Sequence, residues 1–164
     1  VNGWGRCVMA TVIRGDDNFD SAINGRVLQV GFSDTQLKEG NWTDTAQHDI
    51  VSVSFTPLSA TSTVYIETVL RVQSYNNNQS QNSSYKIKVL QDTTEIGESN
   101  DTHNNPKSTN TAHRTESQTM AVKRATSSTS TRVYKMAAKI SSGRLYVSVG
   151  DYGKSYIKIT EVEA

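Results

Sequence analysis

The sequence predicts an all-β protein, which we expect to fold as an antiparallel, jelly-roll-like β-sandwich of about eight or nine strands. Three observations indicate this fold. Short runs rich in Val, Ile, Tyr and Thr alternate polar and apolar residues with a period of two, which is typical of half-buried strands. Clusters of Gly, Ser, Asn and Thr separate these runs and favour turns. No sustained helical periodicity occurs between the clusters.

Length, charge, hydropathy and cysteine count limit the classes of protein to which the chain can belong. The 164 residues suit one domain that is large enough to bury a core. Seventeen basic residues balance 16 acidic ones, so we expect no nucleic-acid partner, since such proteins carry a clustered basic surplus. No run reaches the roughly 20 apolar residues of a membrane span, so no membrane insertion is expected. The single cysteine, Cys7, excludes an internal disulfide framework and is interpreted as a small buried hydrophobe.

The chain divides into two parts. Residues 1–26 are predicted to form an N-terminal strand, Gly5–Ile13, and a connecting loop, and they are a candidate attachment segment. Residues 27–164 are predicted to form the β-sandwich domain. The loop holds three aspartates, but it lacks the glycine and closing glutamate of an EF-hand, so we interpret it as a solvated acidic turn.

The stretch from Ile50 to Gln73 carries the clearest strand signal. Two alternating runs flank the segment Pro57–Ser62, and we expect either a long hairpin or a crossing between sheets. The residues predicted to face the core are Val51, Val53 and Phe55 in the first run, and Val64, Ile66, Thr68, Leu70 and Val72 in the second. The opposite face of the second run mixes apolar and charged residues, which suits a subunit interface. These candidate interface residues are Tyr65, Glu67, Val69 and Arg71.

The other predicted strands follow the same alternation. They are Gly25–Phe32, Tyr85–Gln91, Arg114–Arg124, Arg132–Ile140, Arg144–Val149 and Ser155–Val162. In Tyr85–Gln91, Tyr85, Ile87 and Val89 are expected to point inward and the two lysines outward. Gly150–Lys154 is expected to be a five-residue hairpin loop.

Residues arranged for catalysis are hard to find, so we predict that the protein is not an enzyme and needs no metal or cofactor. The sequence has no G-x-S-x-G, no H-E-x-x-H and no glycine-rich phosphate loop. His103 and His113 are interpreted as ordinary loop histidines rather than metal ligands. Glu95 and Glu98 could form the carboxylate pair of a glycosidase, but ordinary surface charges are the favoured interpretation.

The order of the strands predicts which loops share an end of the sandwich. If successive strands run in opposite directions, one end collects Ser33–Asp49, Ser74–Ser84, Ala125–Ser130 and Gly150–Lys154. The other end collects Pro57–Thr63, Gly97–His113 and Ser141–Gly143. The first end carries aromatic, amide and charged side chains, which suit a sugar, although the rings could instead cap the core. These candidate ligand-binding residues are Trp42, Tyr75, Asn76, Asn77, Asp151, Tyr152 and Lys154.

The order of these motifs resembles that of a family of bacteriophage virion proteins. The resemblance rests on VLQV at Val27–Val30, Trp42-Thr43-Asp44, the run Val53–Glu67, and the ending Ser155–Ala164. This family comprises distal domains of tail fibres and related head and tail appendages. The resemblance implies a structural, often trimeric β-sandwich on the virion surface, which contacts other virion proteins and a host-surface glycan or protein.

The expected function is therefore that of a phage tail-fibre or appendage domain that recognises a host-surface glycan as a homo-oligomer. Two alternatives stay open. One is a virion decoration or tail-tip subunit that binds no receptor. The other is a non-viral carbohydrate-binding module, which a monomeric state would favour.

Overall fold

The computed structural model describes residues 25–35, 40–42, 45–75, 83–99, 102–104, 113–142, 145–147 and 153–164. Within these ranges the chain forms eleven β-strands and no helix, which confirms the predicted all-β class. The strands are β1 (Val27–Asp34), β2 (Gly40–Trp42), β3 (Gln47–Phe55), β4 (Thr63–Tyr75), β5 (Ser83–Gln91), β6 (Thr94–Glu98), β7 (Thr102–Asn104), β8 (His113–Ala125), β9 (Arg132–Ser142), β10 (Leu145–Val147) and β11 (Tyr156–Val162). The predicted strand Gly5–Ile13 lies outside the described residues.

The strands form two antiparallel sheets. In sheet A, β4 lies at the centre, with β8 along one edge and with β11 and β10 sharing the other. β1 continues this sheet beside β11, and β2 continues it beside β10. In sheet B, the order is β3-β9-β5, and both β6 and β7 pair with β5.

The connectivity is that of a jelly roll. Eight strands are five residues or longer, and they pair as nested hairpins: β1 with β11, β3 with β9, β4 with β8, and β5 with β6. The first and third pairs belong to sheet A, and the second and fourth belong to sheet B. A long hairpin wrapped in this way gives two facing sheets with one core between them.

The alternating runs face the core as predicted. In β3, Val51, Val53 and Phe55 are buried, and in β4 the inward residues from Val64 to Val72 are at most 1% exposed. Thr68 is tolerated among them because its hydroxyl donates a hydrogen bond of 3.2 Å to the carbonyl oxygen of Met120. β3 belongs to sheet B and β4 to sheet A, so the segment between them is a crossing between sheets rather than a hairpin.

The predicted inward face of β5 is also confirmed. Tyr85, Ile87 and Val89 are fully buried, whereas the two intervening lysines lie at the surface boundary. The inward face of β9 consists of Tyr134, Met136, Ala138 and Ile140. The rings of Phe55 and Tyr134 meet edge to face across β3 and β9, with centroids 6.3 Å apart.

Two glycines stand where edge strands of the two sheets approach each other closely. A Cβ atom on Gly31 of β1 would lie 2.8 Å from the Phe55 ring on β3. A Cβ atom on Gly97 of β6 would lie 2.6 Å from a methyl group of Val122 on β8. Because these strands are the edges of the two sheets, the missing side chains let both open sides of the sandwich close.

One strand was missed by the sequence analysis, and this error reverses part of the predicted loop arrangement. β6 reverses the chain direction after β5, so every connection from β6 to the end of β9 moves to the opposite end. The affected predictions are those for Gly97–His113, Ala125–Ser130 and Ser141–Gly143, and all three are wrong. The short strand β2, within the predicted loop Ser33–Asp49, was also missed.

Strand pairing shows the corrected arrangement. Tyr75 pairs with His113, so β8 begins at the end of the sandwich where β4 ends. Thr63 pairs with Ala125, so β8 ends beside the Pro57–Ser62 crossing.

The predicted hairpin at Gly150–Lys154 is wrong for a different reason. β10 and β11 do not pair with each other, because both run antiparallel to β4 and follow one another along its edge. Val147 pairs with Val72, and Tyr156 pairs with Val69 three positions earlier on β4.

Candidate functional site

The predicted ligand-binding residues come to one end of the sandwich where they are described. Trp42 pairs with Leu145, which in turn pairs with Ser74, the neighbour of Tyr75. The backbones of Trp42 and Ser74 are therefore two strand spacings apart, about 10 Å. Asn76, Asn77, Asp151 and Tyr152 lie outside the described residues. Their part in a ligand site remains a prediction.

Lys154 belongs to the same end and bonds to a carboxylate. Its ammonium nitrogen lies 3.0 Å from Oδ2 of Asp34, the last residue of β1. Nearby, Ser155 donates a backbone hydrogen bond of 3.1 Å to Thr35, and Thr35 donates one of 2.8 Å to the Ser155 carbonyl. The start of β11 is therefore fastened to the end of β1.

The four predicted interface residues lie on the outer face of sheet A. We use this name for the side of β1, β11, β4 and β8 that points away from the core. Phe32 is 49% exposed on this face and packs on Tyr156, with ring centroids 5.6 Å apart. On the same face, the side chain of Val69 is buried by its neighbours, and that of Tyr65 is partly exposed. The outer face therefore presents aromatic surface among charged groups.

The charged groups of the outer face already have contacts within the chain. The Tyr156 hydroxyl donates a hydrogen bond of 2.9 Å to Glu67, which raises the pKa of Tyr156. The ammonium of Lys158 lies 4.0 Å from the same carboxylate. Lys123 stands 5.6 Å above the ring of Tyr65, and Arg71 donates a hydrogen bond to Ser117. If a second subunit covered this face, Glu67 would keep its contacts with Tyr156 and Lys158 and would not become an unpaired buried charge.

A polar cleft of about 350 Å³ opens at the opposite end of the sandwich. It lies between the end of β8 in sheet A and the ends of β5 and β9 in sheet B. Its polar lining includes Gln91, Arg124, Thr126, Ser128, Arg132 and Tyr134. No candidate ligand residue of the sequence analysis belongs to it.

The two arginines of the cleft differ in their contacts. Arg132 bonds to Asp92, with 3.1 Å between Nη1 and Oδ2. A hydrogen bond of 3.0 Å from the Val133 amide, followed by the Arg132 contact, keeps the pKa of Asp92 below its usual range. Arg124 is exposed. Among the described residues, its guanidinium group forms no ion pair and no hydrogen bond.

Sequence reasoning missed this cleft because its residues come from separate strands. A signal was nevertheless present, since Arg124 and Arg132 flank the hydroxyl-rich connection Ala125–Thr131. A connection between two adjacent strands brings both flanking residues to the same end of a sandwich.

A buried carboxylate at the same end was also missed. Glu161 on β11 is fully buried and accepts hydrogen bonds from the crossing between β3 and β4. Its signal is its place on the inward face of β11, after Ile157 and Ile159. It does not line the cleft.

The carboxylates considered for glycoside hydrolysis pair with lysines. Lys88 lies 2.5 Å from Glu95 and 2.8 Å from Glu98, and Lys86 lies 2.7 Å from Glu98. Hydrogen bonds from Lys86 and Lys88 lower the pKa of Glu98 to about 2, whereas a general acid needs a raised pKa. These contacts support the interpretation of both residues as surface charges.

Among the described residues, no group of three or more His, Cys, Asp or Glu side chains is placed to hold a metal ion. Within the same residues, no helix is long and apolar enough to cross a membrane.

Comparison with known proteins adds no family. No family model matches the chain, and no curated protein matches it significantly. The fold and its surfaces thus define the class, a jelly-roll β-sandwich with a mixed outer face and a polar cleft at one end.

Proposed function

We propose that the chain is a structural protein of a bacteriophage virion, a tail-fibre or appendage domain that binds a host-surface glycan. In this proposal it acts on the virion surface as a homo-oligomer, a trimer, in contact with other virion proteins. The order of its sequence motifs supports the virion assignment. The observation that carries the proposal is the aromatic surface of the outer face of sheet A.

The outer face has the composition expected of a subunit contact. Interfaces combine aromatic anchors with polar groups that keep their hydrogen bonds. Phe32 supplies an exposed anchor beside Tyr156, and Glu67 keeps its contacts within the chain. Because about half of Phe32 is already buried in one subunit, covering the rest stabilises an assembly by roughly 1 kcal/mol per subunit.

Light scattering coupled to gel filtration tests the assembly. We expect the wild-type protein to be a trimer. The trimer of Phe32→Gln should dissociate at protein concentrations at least about tenfold higher than those at which the wild-type trimer dissociates. Leu58→Gln is the matched control, because Leu58 is 60% exposed but lies in the crossing at the cleft end. A monomeric wild type, or equal behaviour of the two variants, would contradict the proposed interface.

Adhesion is measured on the same preparations. The labelled protein is incubated with a panel of bacterial cells, and we expect binding that the polysaccharide extracted from those cells inhibits. An intact trimer that binds no cell would favour the non-adhesive virion subunit. A monomer that binds polysaccharide would favour the carbohydrate-binding module.

A further inference from the structure

We propose that the cleft between β8 and β9 binds the carboxylate of an acidic sugar, with Arg124 as the group that pairs with it. The inference rests on the proposed function, because it names the class of host glycan that the domain recognises. It also places the site at the end opposite to Trp42 and Tyr75.

Arg124 reaches the cleft from the edge of sheet A. It follows Val122 on the face of β8 that packs toward sheet B, and its backbone pairs with Val64 at the end of the ladder. At this level sheet B contributes Gln91 and Tyr134, which line the opposite side of the cleft. The guanidinium group is therefore presented between the sheets while remaining exposed.

The charge of Arg124 is available to a ligand. The neighbouring Arg132 is held by Asp92, whose other oxygen accepts the Val133 amide. Glu161 is buried behind the cleft, and its oxygens are occupied by donors of the β3–β4 crossing. Neither carboxylate bonds to Arg124. Its planar fork of N–H donors thus matches the two oxygens of an incoming carboxylate.

The rest of the lining suits hydroxyl groups rather than a stacked ring. Gln91 and Ser127 supply an amide and a hydroxyl group, which bind sugar hydroxyls, whereas the Thr126 and Ser128 hydroxyls bond to neighbouring residues of the chain. Tyr134 is only 2% exposed, so the face of its ring cannot stack on a sugar. Recognition at this site therefore depends on charge and hydrogen bonds. The cleft volume, about 350 Å³, suits a short saccharide segment.

Calorimetry with two matched oligosaccharides tests the inference on the whole chain. One ends in glucuronic acid, and the other ends in glucose at the same position. We expect the acidic form to bind at least about tenfold more tightly, because a hydrogen-bonded charge pair contributes that much. We expect Arg124→Gln to remove this preference. Lys139→Gln also removes one positive charge, but from the exposed outer side of β9, and should keep the preference.

In calorimetry, three results would overturn the inference: equal binding of the two oligosaccharides, no binding of either, or an unchanged preference in Arg124→Gln. Equal melting temperatures of the variants establish that folding is not the cause. Cell adsorption separates this inference from the proposed function. If wild type and Arg124→Gln adhere equally, the acidic-sugar site is wrong and the adhesion proposal stands. If the wild type adheres to no cell but binds glucuronate through Arg124, adhesion is wrong and the site stands.

Discussion

At the scale of single residues, Glu161 is a fully buried carboxylate held by several hydrogen bonds. Its carboxylate accepts a hydrogen bond of 2.5 Å from the Ser62 hydroxyl and one of 2.7 Å from the Gln29 amide. The backbone amides of Leu58 and Ser59 donate further bonds of 2.9 and 3.1 Å. Burial raises the pKa of Glu161, but these hydrogen bonds outweigh burial and hold the pKa below 4.5. The charged side chain thus fastens the β3–β4 crossing to β11.

We expect Glu161→Gln to lower the free energy of unfolding by about 3 kcal/mol at pH 7, because the new amide group faces donors that need an acceptor. Urea denaturation measures the change. Glu163→Gln is the control, since the side chain of Glu163 forms an exposed ion pair with Arg26 and its replacement should change stability by less than about 1 kcal/mol.

The stability that Glu161 contributes should depend on pH. A carboxyl whose pKa is lower in the folded than in the unfolded state stabilises the fold above the unfolded value. This contribution is lost as the pH falls from about 4.5 through the folded pKa. The difference in stability between wild type and Glu161→Gln should therefore shrink on acidification. A difference that stays constant between pH 7 and about pH 3 would show that Glu161 does not titrate in this way.

At the scale of elements, β6 shows why one strand escaped the sequence analysis. Ile96 is its one large apolar residue, and Gly97 interrupts the alternation. Its turn places Asp92 at a φ of 56°, without the glycine that usually marks such hairpins. The strand pairs with β5, and because Gly97 has no side chain it can pack closely against Val122 of the other sheet.

Gly97→Val should therefore lower the free energy of unfolding by about 1–3 kcal/mol, because the added side chain overlaps Val122. The double variant Gly97→Val/Val122→Ala should recover part of this loss, since it removes the overlapping methyl groups. Chemical denaturation of the two single variants and the double variant measures the coupling. If the effects of the two single substitutions simply add in the double variant, overlap with Val122 is not the reason that Gly97→Val is destabilised.

At the scale of the whole molecule, nested pairing makes the fold depend on the last strand. β11 lies between β1 and β4, and it supplies Ile157 and Ile159 to the core. Its partner strands β1 and β4 are far away in the sequence, so sheet A is incomplete until β11 has paired with both.

A chain truncated after Ser155 should accordingly lack a cooperative unfolding transition, because β1 loses its neighbour and part of the core is exposed. A chain truncated after Val162 is the control. It removes only exposed residues, the exposed ion pair between Arg26 and Glu163, and the backbone bond from the Glu163 amide to the Arg26 carbonyl, and it should unfold cooperatively. Thermal denaturation followed by circular dichroism distinguishes the two. A cooperative transition in the shorter chain would show that β11 is dispensable.

The sequence by itself determined the all-β class, most strands and their inward faces. It could do so because the alternation of side chains along a strand is a local property, visible at Val51, Val53 and Phe55 or at Tyr85, Ile87 and Val89. The mixed face with Tyr65 and Glu67 was predicted for the same reason.

Only the tertiary structure decided how the strands are arranged. One undetected reversal at β6 moved later loops to the other end, because each strand inverts the direction of all that follow. The cleft depends on this arrangement, since Arg124 and Tyr134 belong to different sheets. The burial of Glu161 depends on it as well, because its donors come from Gln29 and the β3–β4 crossing. Contacts between residues far apart in the sequence are set by strand pairing, which local alternation does not specify.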